Sequence, residues 1–529
     1  MNDHETTAAS WDSEPWAAVS ETHSAAVFFA GDRVWKLKKP VDLGFLDFST
    51  PRARAAACQR ETELNRRFAP EEYLGVAEIR GPDGQPSDYL VVMRRMPSSR
   101  RLSAIVRGHG PAGAPLRQVA RILAAQHSGA DRRPEIDQEG SRDALRRRWA
   151  DNIEQARELA DPPRGRLGQA ALDEIERLAC QFLAGRDPLL SRRISEGRIV
   201  DGHGDLLAGD IFCLDDGPRI IDCLDFDDRL RWVDGLDDAA FLAMDLERLE
   251  APELARRFLA DYAEFSADPA PASLRHHYVA YRAFVRAKVA LLRADGQAGP
   301  DADRLADITL RHLRAGAVTL VLTGGLPGTG KSTLAGAIAD RLGFTVLSSD
   351  RIRKELAGLP PKAEAGAPYG KGIYSPENTE RTYAELLRRA TVLLAQGESV
   401  VADASFTSAW QREAAATAAA GVSADLVPIQ CAVAREVAEA RIRTRAPSGS
   451  DANADIAARM EATADPWPEA TVIDTGRGGA SASETSAAGN SASGNRAGRE
   501  ESLRQALVAV RPHGPEYVWR PDRPYMLPG

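Results

Sequence analysis

Two domains of mixed α/β and α+β character, the second a doubly wound parallel sheet, follow from three observations. The chain has 529 residues, more than one hydrophobic core can organise. From residue 315 onward, short apolar runs at 318–322, 344–349, 399–402, 424–431 and 471–474 alternate with helical periodicity. Alternation of that kind predicts a parallel sheet with helices on both faces. Before residue 305 the chain reads as strands, a helix and strands again, then mostly helix around one tight hairpin.

Taken in order, residues 1 to 24 read as a poorly ordered lead, and 25 to about 92 as strands, a helix and strands again. Residues 100–200 are rich in Arg and Ala with helical spacing, as in Leu172, Ile175, Leu178 and Phe182. A tight hairpin and a helix follow within 201–250, and 252–314 is helical again. There Tyr278, Tyr281, Val285, Val289 and Leu292 form one stripe, expected to face the core, with Arg282, Arg286 and Arg293 elsewhere. The first domain is placed at 25–305 and the second at 315–475. The Ser/Ala/Gly/Asn tract 476–498 cannot bury a core and is expected to be a flexible insertion. Residues 499–529 are expected to be a short helix and a Pro-rich tail. No internal repeat is visible.

Composition excludes several classes. The chain is 43% hydrophobic and 27% charged, an ordinary globular balance. A net charge of −8 argues against a broad nucleic-acid surface. Five scattered cysteines (Cys58, Cys180, Cys213, Cys223, Cys431) contain no Cys-x2-Cys pair, so neither a zinc site nor an oxidising compartment is expected. The polar start Met1-Asn-Asp-His-Glu5 is unlike a secretory leader, and no apolar run reaches membrane-spanning length. The cytoplasm is the expected location.

Chemistry enters at Gly325-Leu-Pro-Gly-Thr-Gly330-Lys331-Ser332, a full match to Gly-x4-Gly-Lys-[Ser/Thr]. An apolar strand precedes it, and Leu334, Ile338 and Leu342 recur at helical spacing after it. A strand feeding a glycine loop that opens a helix aims backbone N–H groups and the positive helix end at phosphate. Gly325, Gly328 and Gly330 shape that loop. Lys331 adds a point charge near the β/γ-phosphates, and Ser332, with Thr333 beside it, can ligate Mg²⁺. The implied ligands are ATP and Mg²⁺.

A second constellation lies at His203-Gly204-Asp205. Asp210 follows five residues after the Asp; then come Ile211–Leu214, the turn Asp215-Asp-Gly217, Arg219–Ile221 and Asp222. Transfer of a phosphoryl group to a hydroxyl needs one carboxylate to accept the proton and oxygen ligands for Mg²⁺. Asp205 is the base candidate, and Asp210 and Asp222 are the metal candidates.

This stretch resembles the aminoglycoside phosphotransferase family, relatives of the protein kinases, whose pattern is His-Gly-Asp-x4-Asn followed by a hairpin ending in Asp. The likeness is sharp over 201–240 and extends in outline over 22–300. It implies a bilobal, protein-kinase-like fold. Asp238-Ala-Ala-Phe is similar to that family's structural Asp-Leu-Ala. The resemblance also implies a phosphate lysine on Val34-Trp-Lys-Leu-Lys38, at Lys36 or at Lys38 on the same face, and a glutamate partner. Glu61, Leu64 and Phe68 share one helical stripe. An inward Glu61 is costly unless paired, so it is the expected partner of Lys36. Two departures stand out: only Gly31 marks the nucleotide turn, and Asp210 replaces the family's Asn, adding charge beside Asp205 and Asp222.

In the second half, strand ends place Asp350 and Asp403 at the expected ligand crevice. One would be the hydroxyl base, the other a metal-side carboxylate. No strand ends Asp-Glu, which favours transfer over hydrolysis. This half resembles the small P-loop kinases: gluconate kinase, zeta toxin and polynucleotide 5′-hydroxyl kinase relatives. Asp350-x-x-Arg353 is similar to the last group's acceptor motif, with Arg353 contacting acceptor or phosphate. Arg441 and Arg445, one turn apart, resemble the arginines of a phosphate lid. A solvated helix end is the alternative for them, and a solvated helix face for Arg353. Residues 315–475 hold 16 Lys and Arg against 19 Asp and Glu, a net of −3, so a small hydroxyl acceptor is expected over nucleic acid. The sequence thus predicts a two-site, ATP-dependent phosphotransferase. The alternatives are a regulatory, pseudokinase-like first half beside a switch ATPase, and a polynucleotide 5′-hydroxyl kinase in the second half.

Overall fold

Strand pairing and ion pairs between distant segments organise the chain. In a computed structural model, residues 15–22, 24–42, 47–159, 167–293, 299–360, 370–444, 454–476 and 491–511 are described. They divide into two compact units. One comprises 1–172, 190–270 and 278–310; the other comprises 173–189, 271–277 and 311–529.

The first unit opens with β1 (Ala17–Glu21), β2 (Ala25–Ala30), β3 (Arg33–Lys38), helix α1 (Pro51–Asn65), β4 (Tyr73–Arg80) and β5 (Pro86–Arg94). The strands form an antiparallel sheet in the order β1-β2-β3-β5-β4. α1 begins at a Thr50 side chain that accepts from the Ala53 amide at 3.1 Å, with Pro51 at the first helical position. Its Cys58 meets Val34, Tyr73, Val91 and Met93 in the core beneath the sheet. Residues 1–14 lie outside the described residues, but β1 corrects, over 17–21, the reading of residues 1–24 as a poorly ordered lead. It is a largely exposed edge strand paired with β2, so it carries none of the apolar alternation by which a half-buried strand is recognised.

Helices follow: α2 (Leu102–Arg107), α3 (Gly113–Gly129), α4 (Pro134–Glu139), α5 (Arg142–Leu159), α6 (Gln169–Ala184) and α7 (Asp187–Ser195). Then β6 (Ile199–Asp201), the hairpin β7 (Ile211–Leu214) and β8 (Gly217–Ile220), and β9 (Trp232–Asp234), which pairs with β6, carry the chain to α8 (Gly235–Arg248), α9 (Pro252–Ser266), α10 (Ala272–Arg293) and α11 (Pro300–Ala315). An antiparallel sheet with one helix is thus followed by helices and a short hairpin, the order of elements expected from the sequence. α8 is buried from Gly235 to Glu247. Arg282 of α10 clamps its Asp237 at 2.7 and 2.8 Å, and Arg193 clamps both Asp234, the cap before α8, and Asp268, beyond α9. The stripe expected on α10 is displaced. Tyr278 and Tyr281 are buried but Leu292 is 54% exposed, while Ala283, Phe284 and Ala287 complete the inner face. A buried Arg282 had no apolar signal to mark its side.

The second unit carries β10 (Thr319–Gly324), α12 (Lys331–Leu342), β11 (Thr345–Ser348), α13 (Ser349–Leu356), α14 (Pro376–Ala395), β12 (Val400–Asp403), α15 (Ala409–Gly421), β13 (Asp425–Ala432), α16 (Arg435–Arg443), α17 (Ala454–Ala462), β14 (Thr471–Asp474) and α18 (Ser491–Val510). The sheet is parallel throughout, in the order β11-β12-β10-β13-β14. Consecutive β10 and β11 are separated by β12, the signature of a doubly wound sheet. α18 packs Ala506 and Val510 onto the core shared by α12 and the sheet. It begins at Ser491, so residues 491–498 of the expected insertion are helical, while 477–490 lie outside the described residues, as does the tail from 512.

The seam also differs from a single cut between 305 and 315. Residues 173–189 and 271–277 belong to the second unit. Gln181 reaches the Asp425 side chain at 2.8 Å, and Ser273 Oγ reaches the Gly397 carbonyl at 2.7 Å. Arg186, fully buried, donates to the carbonyls of Leu394 at 2.6 Å and Ser423 at 3.3 Å. Such polar contacts between distant segments leave no periodicity in the sequence.

Candidate active sites

In the first unit, strand alternation sends Lys36 and Lys38 to the same face of β3, toward Glu61 on α1. Lys36 Nζ lies 2.9 Å from Glu61 Oε1 and 3.0 Å from Asp222 Oδ1. Lys38 Nζ lies 2.8 Å from Glu61 Oε2 and 2.8 Å from Asp225 Oδ2. One buried glutamate thus serves two lysines, and only Lys36 reaches Asp222. Burial opposes the charge on Glu61, but Lys36 and Lys38 outweigh it and hold its carboxyl below the usual range.

Asp222 follows the hairpin with φ 64°, a left-handed backbone that costs a non-glycine residue energy and marks a constrained site. Its amide bonds the Tyr73 hydroxyl at 3.2 Å, and the next amide, of Cys223, bonds Asn65 Oδ1 at 2.8 Å. The His203-Gly-Asp loop is held from beneath. Asp238 on α8 accepts the His203 and Gly204 amides, each at 2.8 Å, and meets His127 Nε2 at 3.0 Å. Gly204 has φ 85°, and a Cβ there would stand 3.0 Å from Arg231 and 3.2 Å from Leu224. Burial opposes the Asp238 charge, yet His127 and His203, the latter through its ring and its amide, hold its carboxyl well below the ordinary range.

Asp205 keeps 37% of its side-chain surface exposed, with Arg286 Nη1 3.7 Å away. Burial raises its pKa, Arg286 offsets part of that, and Asp222 adds to it. Asp210 is raised further, by burial and then by Asp222 and Asp205, against a distant Arg101 at 3.9 Å. Carboxylates that resist one another's ionisation form a donor set of hard oxygens suited to a divalent cation. Among the described residues no three His, Cys, Asp or Glu side chains gather into a ready-made metal site.

In the second unit the loop between β10 and α12 holds Gly325, Gly328 and Gly330 at φ 139°, 81° and 85°. A Cβ on Gly325 would lie 2.6 Å from the Cys431 carbonyl, and one on Gly328 2.6 Å from the Ala438 carbonyl, so no other residue fits either place. Lys331, Ser332 and Thr333 begin the helix, the last two exposed. Buried Asp403 ends β12 in register with Thr323 on β10 and Ser348 on β11. Asp350 lies in the first turn of α13, within reach of the Tyr374 hydroxyl (3.4 Å) and Lys354 (3.8 Å). Arg353 is buried rather than solvated. It donates to the Ile373 carbonyl at 2.9 Å and Thr379 Oγ1 at 3.1 Å, over the Tyr374 ring, and burial lowers its pKa. Arg441 reaches the Gly328 carbonyl at 3.4 Å and the Thr475 carbonyl at 2.8 Å, against the phosphate loop. Arg445 lies outside the described residues.

A cleft of about 830 Å³ opens from Pro327 and Lys331 past Asp350 and Arg353 to Tyr374, Tyr383, Trp410 and Met460. Asp403 does not line it. The aromatic wall and Arg286 went unrecognised in the sequence; neither falls in a motif or a diagnostic spacing. No helix among the described residues is long and apolar enough to cross a membrane.

Residues 320–467 match the family described as AAA domain. The chain is similar to a choline/ethanolamine kinase family protein from Mesorhizobium loti, at 15% identity over 57% of this chain and 88% of that one, TM-score 0.35. It is also similar to a sugar kinase from Janibacter sp. HTCC2649, at 17% identity over 37% and 94%, TM-score 0.27. Over 465 residues it is 43% identical to uncharacterized protein Rv2004c of Mycobacterium tuberculosis and, equally, to uncharacterized protein Mb2027c of Mycobacterium bovis, covering 87% of this chain and 93% of each relative. The chain therefore belongs to the same family as these mycobacterial proteins, and its second half carries an AAA domain of the P-loop, kinase-like type.

Proposed function

We propose that the chain is a two-site phosphotransferase, moving the γ-phosphoryl of ATP to hydroxyls of small, sugar-like molecules at each site. The observation that carries this reading is that each unit, by unrelated means, sets a lysine and carboxylates around a place for phosphate. In the first unit Lys36, oriented by Glu61, would hold the phosphates, and Asp205 would accept the acceptor's hydroxyl proton. Asp210 and Asp222 would hold Mg²⁺. In the second, the glycine loop and Lys331 would grip the phosphates, with Ser332 on Mg²⁺ and Arg441 steadying the loop. Asp350, which lines the cleft, would be the base, and Asp403, which does not, would serve the metal side. Arg353 would fix the cleft wall. Mg²⁺ would neutralise phosphate charge at both sites.

The test is transfer from γ-labelled ATP into a metabolite extract, by wild type, Asp205→Ala and Lys331→Ala side by side. Two products, each lost in a different variant, are expected. Free phosphate alone, abolished by Lys331→Ala, would leave a switch ATPase beside a regulatory first half. Label appearing only on 5′-hydroxyl oligonucleotides would assign the second site to nucleic-acid ends.

A further inference from the structure

Helix α10 carries two arginines one turn apart with different surroundings. Arg282 is buried, its guanidinium held in a fork by Asp237 and stacked over Phe241. Arg286 is 21% exposed, and its nearest carboxylate is Asp205 at 3.7 Å. That is an ion-pair separation, too long for a hydrogen bond, so the guanidinium donors are not committed to the aspartate. The loop Leu206-Leu-Ala-Gly209, between Asp205 and Asp210, supplies no cation. Lys36 is already shared by Glu61 and Asp222, and Arg101 is turned to the Gly209 carbonyl and the Phe212 ring. Among these described cations, Arg286 is therefore the one beside the proposed base with donors to offer.

We infer that Arg286 is a catalytic residue of the first site, binding the phosphoryl group as it passes from ATP to the acceptor. This rests on the reading of that site as a phosphotransferase. In the step, the bond from the γ-phosphorus to the bridging β-phosphate oxygen breaks and a bond to the acceptor oxygen forms. The acceptor proton moves to Asp205, and ADP and a phosphate monoester leave. Charge on the equatorial oxygens needs donors placed in advance where it develops. A guanidinium presents paired N–H groups matched to phosphate. Its position beside Asp205 is also where acceptor oxygen and phosphorus must meet.

Two measurements on the full chain test this. The first is binding of ADP alone and of ADP with aluminium fluoride, a mimic of the transferring group, by calorimetry. Lys331→Ala is present throughout to silence the phosphate loop. Arg286→Ala should leave ADP affinity within about threefold and weaken the aluminium fluoride complex about 10²-fold or more, with Arg286→Lys between. The second is the rate of the Asp205-dependent product from labelled ATP, expected to fall about 10²- to 10³-fold in Arg286→Ala, with its acid limb moved to higher pH because a cation beside the base is gone. Unchanged aluminium fluoride affinity, or equal loss of ADP affinity, overturns the assignment. Absence of any Asp205-dependent product in the parent chain overturns the phosphotransferase reading of the site itself, and the assignment with it.

Discussion

The two candidate sites are built from opposite materials. The phosphate grip of the second is made of consecutive residues, 325–333, whose backbone does the positioning, and its requirements are steric. The first gathers Lys36, Glu61, Asp205, Asp222 and Asp238 from five separate segments, and its parts are held by charge. A contiguous backbone site tolerates change everywhere except where a Cβ collides. A dispersed ionic one is sensitive at every partner and responds to pH. The units should therefore fail in different ways.

The sharpest break is Gly328→Val. With φ at 81° and the Ala438 carbonyl 2.6 Å from the new Cβ, the loop cannot close. Nucleotide affinity of the second site should fall more than about 100-fold, measured by calorimetry, while the first site's product persists. A smaller effect is expected of Asp238→Asn. The substitution removes the charge that receives two amides and His127, and should destabilise by about 1.5–3 kcal/mol. Melting followed by hydrogen exchange should place the loss around His203 and Gly204 and leave 319–342 protected. The mildest is Asp210→Asn, which keeps the shape and removes an ionisable carboxyl. Burial, then Asp222 and Asp205, push the Asp210 carboxyl well above its usual range, further than Asp205 itself is pushed. Asp210 therefore keeps its proton through the range in which Asp205 ionises, and the acid limb of the Asp205-dependent rate should stay where it is. A limb that moves to lower pH would mean that Asp210 is ionised beside the base in the working enzyme.

The same contrast explains what the sequence disclosed. The five parallel strands could be placed within a residue or two because buried strands are apolar runs bounded by turns, and the glycine loop could be placed because its residues are adjacent. Lys36 and Glu61 could be matched because an inward glutamate on an apolar stripe demands a partner. β1 escaped because an exposed edge strand has no alternation, and Leu292 was misassigned because aliphatic spacing alone ignored buried Arg282. Arg286 lies 81 positions from Asp205, and nothing in one segment announces the other. The aromatic wall at Tyr374, Tyr383 and Trp410 is likewise assembled only by folding.

Arg186 has a consequence for how such a chain can be rearranged. Its guanidinium, contributed from well inside the first half of the chain, satisfies carbonyls at Leu394 and Ser423. A recombination breakpoint or an expression boundary at the apparent seam near 311 would deliver the glycine loop and all five strands, yet take Arg186 from the Ser423 carbonyl and leave the Leu394 carbonyl with the Gly397 amide alone. The two halves are thus not interchangeable cassettes. A gene that exchanged one of them would have to carry residues 173–189 along, so lineages of this family are expected to inherit both sites together.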